Sequence, residues 1–242
     1  MAEREQVLLE RGFVLHQRPY LDSSQLLECM TVGHGRVGLV ARGSRRAQNR
    51  QRALLQPFVP LRVSWVRRGE LGRLTHVEPD GQSLALEGQR LLAGFYANEL
   101  LLRLLARGDA NGEVFSCYSR CLVQLAEVAS LPRTLRVFEL TLLRALGYGL
   151  ELDGESATGK PLHEGSRYVY ELEQGFRLAT AADSDADAYS GRELIALRSL
   201  ALEDDDSLRA AQRLLGRVLR AHLGDRPLQS RLVLQDIVSR GL

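Results

Sequence analysis

The chain has 242 residues, enough for one or two domains with a sizeable core. Hydrophobic residues make up 45% and charged residues 26% of it, which excludes wholly disordered, collagen-like and disulfide-scaffold classes. The longest apolar stretch, Leu91 to Leu105, is interrupted by Asn98, Glu99 and Arg103, so no segment predicts a membrane span. The N-terminus lacks a signal-peptide pattern, and three cysteines fit a reducing cytoplasm.

Positive charge is concentrated in one segment. The 32 basic residues are 31 arginines and one lysine, Lys160. Residues 36 to 73 contain ten arginines and one acid, Glu70, although the whole chain carries only +2. Such asymmetry indicates a polyanionic partner for the basic segment. Guanidinium groups suit phosphate because they are planar, bidentate and permanently charged.

The first eighty residues predict five short strands, at 6–15, 26–31, 36–41, from Leu61 to a turn around 67–69, and at 71–77. Leu61, Val63 and Trp65 alternate with polar residues, which is the period of a strand. Five short strands without helical periodicity favour a small closed barrel. Phe58 and Trp65, beside the basic loop with His34, are expected to be core residues rather than platforms on which bases stack. The loop over 43–56 is rich in Arg and Gln, so we expect it to be solvated or bound to a partner.

From residue 84 the apolar period changes to that of a helix. Helices are predicted from 91 to near Gly108, at 114–129 and at 132–146, packed on one another, followed by a hairpin at 168–179 and an acidic loop at 183–187. Ser190 followed by Glu193 forms a capping-box signature for the next helix. Asp206 or Ser207 is expected to cap another that ends at Leu223, and a last short helix is predicted over 228–238.

The segment Gly154–Lys160 has the G-x-x-x-x-G-K spacing of a phosphate-binding loop. Pro161 stands where such a loop carries the Ser or Thr that holds Mg²⁺, and no buried strand precedes the segment. These departures favour an exposed turn. A nucleotide-binding enzyme built on this segment is the alternative function.

Cys117 and Cys121 lie four residues apart on a predicted helix and face the same side. A closed zinc site needs four ligands, and no second pair is available, so buried packing cysteines are favoured. No other spacing of residues indicates catalysis. We therefore expect no catalytic residue, no metal and no cofactor.

Several stretches at matching spacing carry a resemblance to one family. They are GFVLHQRPY at 12–20, Ser23-Ser24, GRVGLVARGSR at 35–45, LQPF at 55–58, YANELL at 96–101, LRVFELTLL at 135–143, LGYG at 146–149, SGREL at 190–194 and LRAA at 208–211. Together they span nearly the whole chain. The chain resembles RecO, the family of bacterial recombination mediators.

The resemblance implies an α+β fold with an N-terminal five-stranded OB-fold β-barrel over 1–80 and an α-helical domain over 81–242, irregular at 150–190. It implies a DNA repair and homologous recombination mediator that is not an enzyme, lies in the cytoplasm in association with the nucleoid, and is monomeric alone. Such a protein binds single- and double-stranded DNA and anneals complementary strands. With RecR it helps load RecA on strands coated with single-strand-binding protein, whose acidic C-terminal tail it binds. Many members hold zinc with four cysteines, but residues 154–165 contain none, so a zinc-less hairpin insertion is predicted.

The expected DNA-binding residues are arginines of the basic segment: Arg36, Arg42, Arg45, Arg46, Arg50, Arg52, Arg67 and Arg68. The resemblance places Arg36 and Arg42 in the family's basic strand-and-loop surface and Arg136 where the acidic tail docks. An apolar groove beside Arg136 is expected from Phe138 and Leu140, whereas the residues without the resemblance favour a surface arginine over a core phenylalanine. A later predicted helix carries four arginines on one face (Arg209, Arg213, Arg217, Arg220), which either join the DNA site or are simply solvated. A protein scaffold whose arginines bind an acidic protein is a third possibility.

Overall fold

The computed structural model describes residues 5–46, 51–127, 129–148, 150–224 and 226–230. Contacts divide the chain into two compact units, one comprising the described residues up to Ala129 and from Arg226 on, the other those of Ser130–Asp225. Among the described residues, no helix is long and apolar enough to cross a membrane.

Five strands close into a barrel in the first unit. They are β1 (Glu5–Tyr20), β2 (Ser24–Thr31), β3 (Gly35–Ala41), β4 (Leu61–Arg67) and β5 (Leu71–Pro79), as the sequence predicted. Their order is β1-β2-β3-β5-β4, and β4 returns to pair with β1. All pairs are antiparallel except β3 with β5. This is the Greek-key barrel of an OB-fold. A short helix, α1 (Gln51–Leu54), forms within the predicted loop between β3 and β4 and packs on β5.

Alternating apolar residues fill the barrel. Val37 and Leu39 of β3 point inward, where they join Trp65 of β4 in one core cluster. Trp65 is 0% and Phe58 4% exposed, which confirms that both are core residues. The indole of Trp65 needs a glycine at position 72, because a Cβ there would lie 2.9 Å from Trp65 Cδ1.

Two helices, α2 (Gly88–Leu104) and α3 (Gly112–Ala126), complete this unit. A buried hydrogen-bond chain joins them to β1. The Tyr118 hydroxyl donates to Asn98 Oδ1 at 2.6 Å, and Asn98 Nδ2 donates to the carbonyl of Leu15 at 2.8 Å. Phe13 packs edge-on against the Tyr118 ring. The contacts thus group α2 and α3 with the barrel, although the predicted domain boundary at residue 80 precedes both.

The second unit contains the remaining elements: α4 (Leu131–Ala145), β6 (Arg167–Glu171), β7 (Gly175–Leu178), β8 (Ala188–Ser190), α5 (Gly191–Ser199) and α6 (Asp205–Leu223). The predicted hairpin is confirmed as β6–β7, and β8 adds a third strand beside β6 that the sequence did not predict. In this unit α4 packs on α6, and in the first unit α2 packs on α3.

Helices α5 and α6 of the second unit both begin with a side-chain cap. Ser190 and Glu193 form the capping box at the start of α5, as predicted. The cap of α6 is Asp204, not Asp206 or Ser207, because the Asp204 carboxylate accepts both the amide and the hydroxyl of Ser207 at 2.8 Å. Most of the helix predicted over 228–238 lies outside the described residues.

Candidate nucleic-acid interface

One row of residues runs around the outside of the barrel across all five strands. The pairings join Arg18 to Leu26, Leu26 to Val40, Val40 to Arg73, and Arg73 to Val66. Residues paired across a sheet share a face, so the two arginines of the row flank apolar side chains on one surface. Arg18 and Arg73 are exposed, and Leu26 between them is buried.

An open groove of about 400 Å³ lies beside this row at the turn between β4 and β5. It is lined by Val66, Arg67, Arg68, Leu71 and Arg73, and we call it the β4–β5 groove. Arg68 and Arg73 are exposed and make no ion pair with another described residue. Arg67 is held instead by Glu5, whose carboxylate accepts from its Nε at 2.9 Å and its Nη2 at 2.6 Å. The groove therefore offers two available guanidinium groups and one that is already paired.

A second group of arginines follows β3. Arg42 and Arg46 are exposed and make no ion pair with other described residues, and Arg52 is exposed on α1. Arg50 lies outside the described residues. We use the name basic face for the exposed arginines placed by strand register and by the groove: Arg18, Arg42, Arg68 and Arg73.

Arg45 holds the turn between β1 and β2 in place. Its backbone amide donates to the carbonyl of Ser23 at 3.0 Å. Its Nη1 lies 3.5 Å from the carbonyl oxygen of Leu21 and 3.4 Å from that of Asp22. The structure therefore gives Arg45 a structural role beside the basic face.

Arg36, expected to bind DNA, is tied to protein groups. Its Nε lies 3.6 Å from a Glu28 carboxylate oxygen, its Nη1 donates to the carbonyl of Leu102, and its side chain is only 18% exposed. Arg107, from the segment between α2 and α3, pairs with the same Glu28. A phosphate would have to displace Glu28 to reach Arg36, so the structure does not offer Arg36 as the open contact that was expected.

Sequence reasoning left Arg18 and Arg73 out of the expected site. Arg73 belongs to the basic segment, but nothing along the chain shows that it pairs with Val40, because β3 and β5 are parallel strands far apart in sequence. Arg18 lies outside the segment altogether. The two-residue period of a strand could have identified Arg73, because it places that side chain on the face opposite the inward-facing Leu74.

The expected peptide groove beside Arg136 is not formed by the side chains proposed for it. Phe138 is 2% and Leu140 0% exposed, so both lie in the core. Arg136 pairs with Glu139, whose side chain is only 2% exposed. All three residues proposed for the groove lie on α4, where Phe138 and Leu140 are buried and Arg136 is only partly buried.

The four arginines of α6 are in different environments. Arg209 pairs with acids of the first turn of its own helix, and Arg213 donates to the carbonyl of Ala186 at 2.7 Å. Arg217 is half-buried and Arg220 exposed. The helix face therefore does not present four equivalent cations.

The segment that resembles a phosphate-binding loop uses its own backbone donors. The amides of Glu155, Ser156, Gly159 and Lys160 donate to protein oxygens at 2.8 to 3.2 Å. Gly154 and Pro161 close the segment as a β-bridge. A phosphate-binding loop needs such amides to point at the phosphate, so the segment forms a closed turn instead.

All three cysteines are buried, as the packing interpretation of Cys117 and Cys121 predicted. No group of three or more His, Cys, Asp or Glu side chains within the described residues is arranged to hold a metal ion. Burial raises the pKa of the Cys29 and Cys117 thiols to about 12.

We expect the three thiols to resist a thiol reagent such as DTNB at pH 8 in the folded protein, because the thiolate is the reactive form. All three are expected to react once guanidinium unfolds the chain. Rapid labelling of the folded protein, measured against the unfolded sample, would contradict this burial.

Comparison with known proteins identifies the family. The model "Recombination protein O N terminal" matches residues 6–81, and "Recombination protein O C terminal" matches residues 86–232. The DNA repair protein RecO of Nitrosococcus oceani is 44% identical over 231 residues, covering 96% of this chain and 94% of the relative. That of Methylococcus capsulatus is 42% identical over 230 residues (95% and 94%), and that of Haemophilus influenzae 38% over 231 residues (95% and 97%). With an OB-fold barrel followed by helices and these matches over nearly its whole length, the chain belongs to the RecO family of DNA repair proteins.

Proposed function

We propose that this chain is a non-enzymatic mediator that binds single- and double-stranded DNA and anneals complementary strands. Together with RecR it would help RecA load on strands coated with single-strand-binding protein, at DNA in the cytoplasm. The observation that carries the proposal is the basic face, where exposed arginines without acidic partners among the described residues lie on the outside of an OB-fold barrel. In this fold, strands 2 and 3 and the loops after strands 1 and 4 bind oligonucleotides.

Charge neutralisation explains how such a surface serves annealing. Each arginine that contacts a phosphate releases condensed counterions, so affinity falls as salt rises. With its own phosphates neutralised, a bound strand repels a complementary strand less. If the four arginines of the basic face each contact one phosphate, the slope of log K against log salt for a single strand is about −2.8.

The partner contacts need surfaces other than the basic face. The acidic tail of single-strand-binding protein is the partner proposed for the helical part of the chain, near Arg136. Since Phe138 and Leu140 are buried, that tail would meet Arg136 only by competing with Glu139.

A strand-annealing assay tests the proposal. Two complementary oligonucleotides, naked or coated with cognate single-strand-binding protein, are mixed with the protein in the absence of nucleotide. We expect annealing of both kinds of strand, since phosphate neutralisation requires no ATP. Lys160→Ala is the matched control because it removes one positive charge outside the basic face, and we expect it to anneal at the wild-type rate.

The outcomes separate the parts of the proposal. Failure on naked strands, or a salt slope near zero, would overturn DNA binding by the basic face. Success on naked strands with failure on coated strands would overturn the proposed tail contact alone. Dependence on ATP, lost in Lys160→Ala, would favour the nucleotide-binding alternative.

A further inference from the structure

The turn between β1 and β2 exposes two apolar side chains next to each other. Tyr20, the last residue of β1, is 37% exposed, and Leu21 after it is 74% exposed. Burying such surface is favourable, so an exposed aromatic and an exposed leucine side by side are candidates for contact with a ligand.

The turn also has a strained backbone that other residues hold in place. Leu21 has a φ of +52°, in the left-handed region that residues other than glycine, asparagine and aspartate seldom adopt. Arg45 anchors the turn through Ser23 and through the carbonyls of Leu21 and Asp22. A strained residue kept in a fixed, exposed position points to a role in binding.

Strand register places the turn on the basic face. Tyr20 pairs with Ser24, two positions along from the row that contains Arg18, so it lies on the same outward surface. Gln25 pairs with Ala41, so the next step in that register sets Arg42 level with Ser24. Tyr20 and Arg42 are therefore two strands apart, about 10 Å at the backbone.

An exposed ring beside guanidinium groups fits one chemistry well. Single-stranded nucleic acid offers the open faces of its bases together with its phosphates, and aromatic side chains stack on such bases whatever their sequence. In a duplex the same base faces are covered by their neighbours. A surface that contacts both an open base face and a phosphate therefore binds single-stranded nucleic acid in preference to a duplex.

We propose that Tyr20 and Leu21 form a contact site for an unpaired nucleobase, with Tyr20 stacking on the base and Leu21 packing beside it. The proposal rests on the DNA binding proposed above and adds that this binding recognises unpaired bases. The basic face alone binds any phosphate backbone, and this site gives it a preference for single strands.

The test measures binding of single- and double-stranded oligonucleotides to Tyr20→Ala, with Tyr20→Phe as the matched control that keeps the ring. We expect Tyr20→Ala to bind single strands about fivefold or more weakly, and duplex unchanged. Tyr20→Phe is expected to match wild type. The salt slope stays the same in both variants, because stacking neutralises no phosphate.

Leu21→Asn is the second variant. Asparagine tolerates a positive φ, so this change removes the apolar side chain while keeping the turn. We expect weaker single-strand binding without loss of stability, whereas Leu8→Ser, at a leucine of the same barrel that is 67% exposed, leaves binding unchanged.

A strand with abasic sites provides a measurement that does not depend on the variants folding. Wild-type protein is expected to bind it more weakly than the intact strand, and Tyr20→Ala to show a smaller difference between the two. Salt-dependent wild-type binding that is equal on intact and abasic strands would overturn this inference but keep the basic face. Absence of salt-dependent binding by wild type would overturn the proposed function itself.

Discussion

Reversing the charge of both available arginines in the β4–β5 groove is expected to weaken binding of single- and double-stranded DNA by more than about tenfold. Arg68→Glu with Arg73→Glu removes two phosphate contacts and adds repulsion. The slope of log K against log salt for a single strand should become shallower by about 1.4, from 0.7 for each lost contact. The loss should be similar for every sequence, because phosphate contacts carry no base information. Fluorescence anisotropy over a range of salt concentrations measures both effects.

Arg120→Glu with Arg144→Glu is the matched control for total charge. Both residues are exposed, lie on helices and make no ion pair with another described residue. Trp65 is the single tryptophan and is buried in the barrel, so its fluorescence reports whether each variant keeps the barrel. Equal loss in both double variants would mean that net charge, and not the groove, governs binding.

Removing Arg136 is expected to destabilise the second unit by about 3–5 kcal/mol, the usual cost of leaving one charge of a buried pair without its partner. Arg136 is 12% and Glu139 2% exposed at the side chain, so water replaces little of the lost interaction. Urea unfolding of Arg136→Ala, followed by circular dichroism, measures the shift.

Two further variants isolate the cause. Arg144→Ala, at an exposed position on the same helix, is expected to change stability by less than about 0.5 kcal/mol. Arg136→Met combined with Glu139→Gln removes both charges, and we expect it to recover much of the loss. An unfolding midpoint of Arg136→Ala equal to wild type would contradict a structural role. A tail-binding defect in Arg136→Ala therefore counts as evidence for docking only if the variant remains folded.

The barrel could be predicted from the sequence because its signal is local. Leu61 and Val63 alternate with the more exposed Arg62 within a single strand, and the period alone identifies such a strand. The grouping of α2 and α3 with the barrel has no comparable signal. It depends on contacts such as that of Asn98 with the carbonyl of Leu15, which join positions distant in the chain.

The candidate site was predicted only in part for a related reason. Counting arginines finds the basic segment but cannot separate Arg68, which is unpaired among the described residues, from Arg67, which Glu5 holds. It also cannot find Arg18, because that residue joins the face through pairing with Leu26. For Phe138 and Leu140 the error is the reverse, because core residues were assigned to a binding groove. Apolar residues beside an arginine look the same in sequence whether they line a groove or fill a core.

The parallel pairing of β3 with β5 limits how this protein can be shortened. Since β5 lies between β3 and β4 in the barrel, the chain from Arg42 to Pro60 has to pass across β5 to begin β4. That crossing segment also carries several of the arginines. Deleting it to remove positive charge would cut the connection on which closure of the barrel depends. The positive charge of this segment can be removed without breaking the connection only by substituting its arginines one at a time.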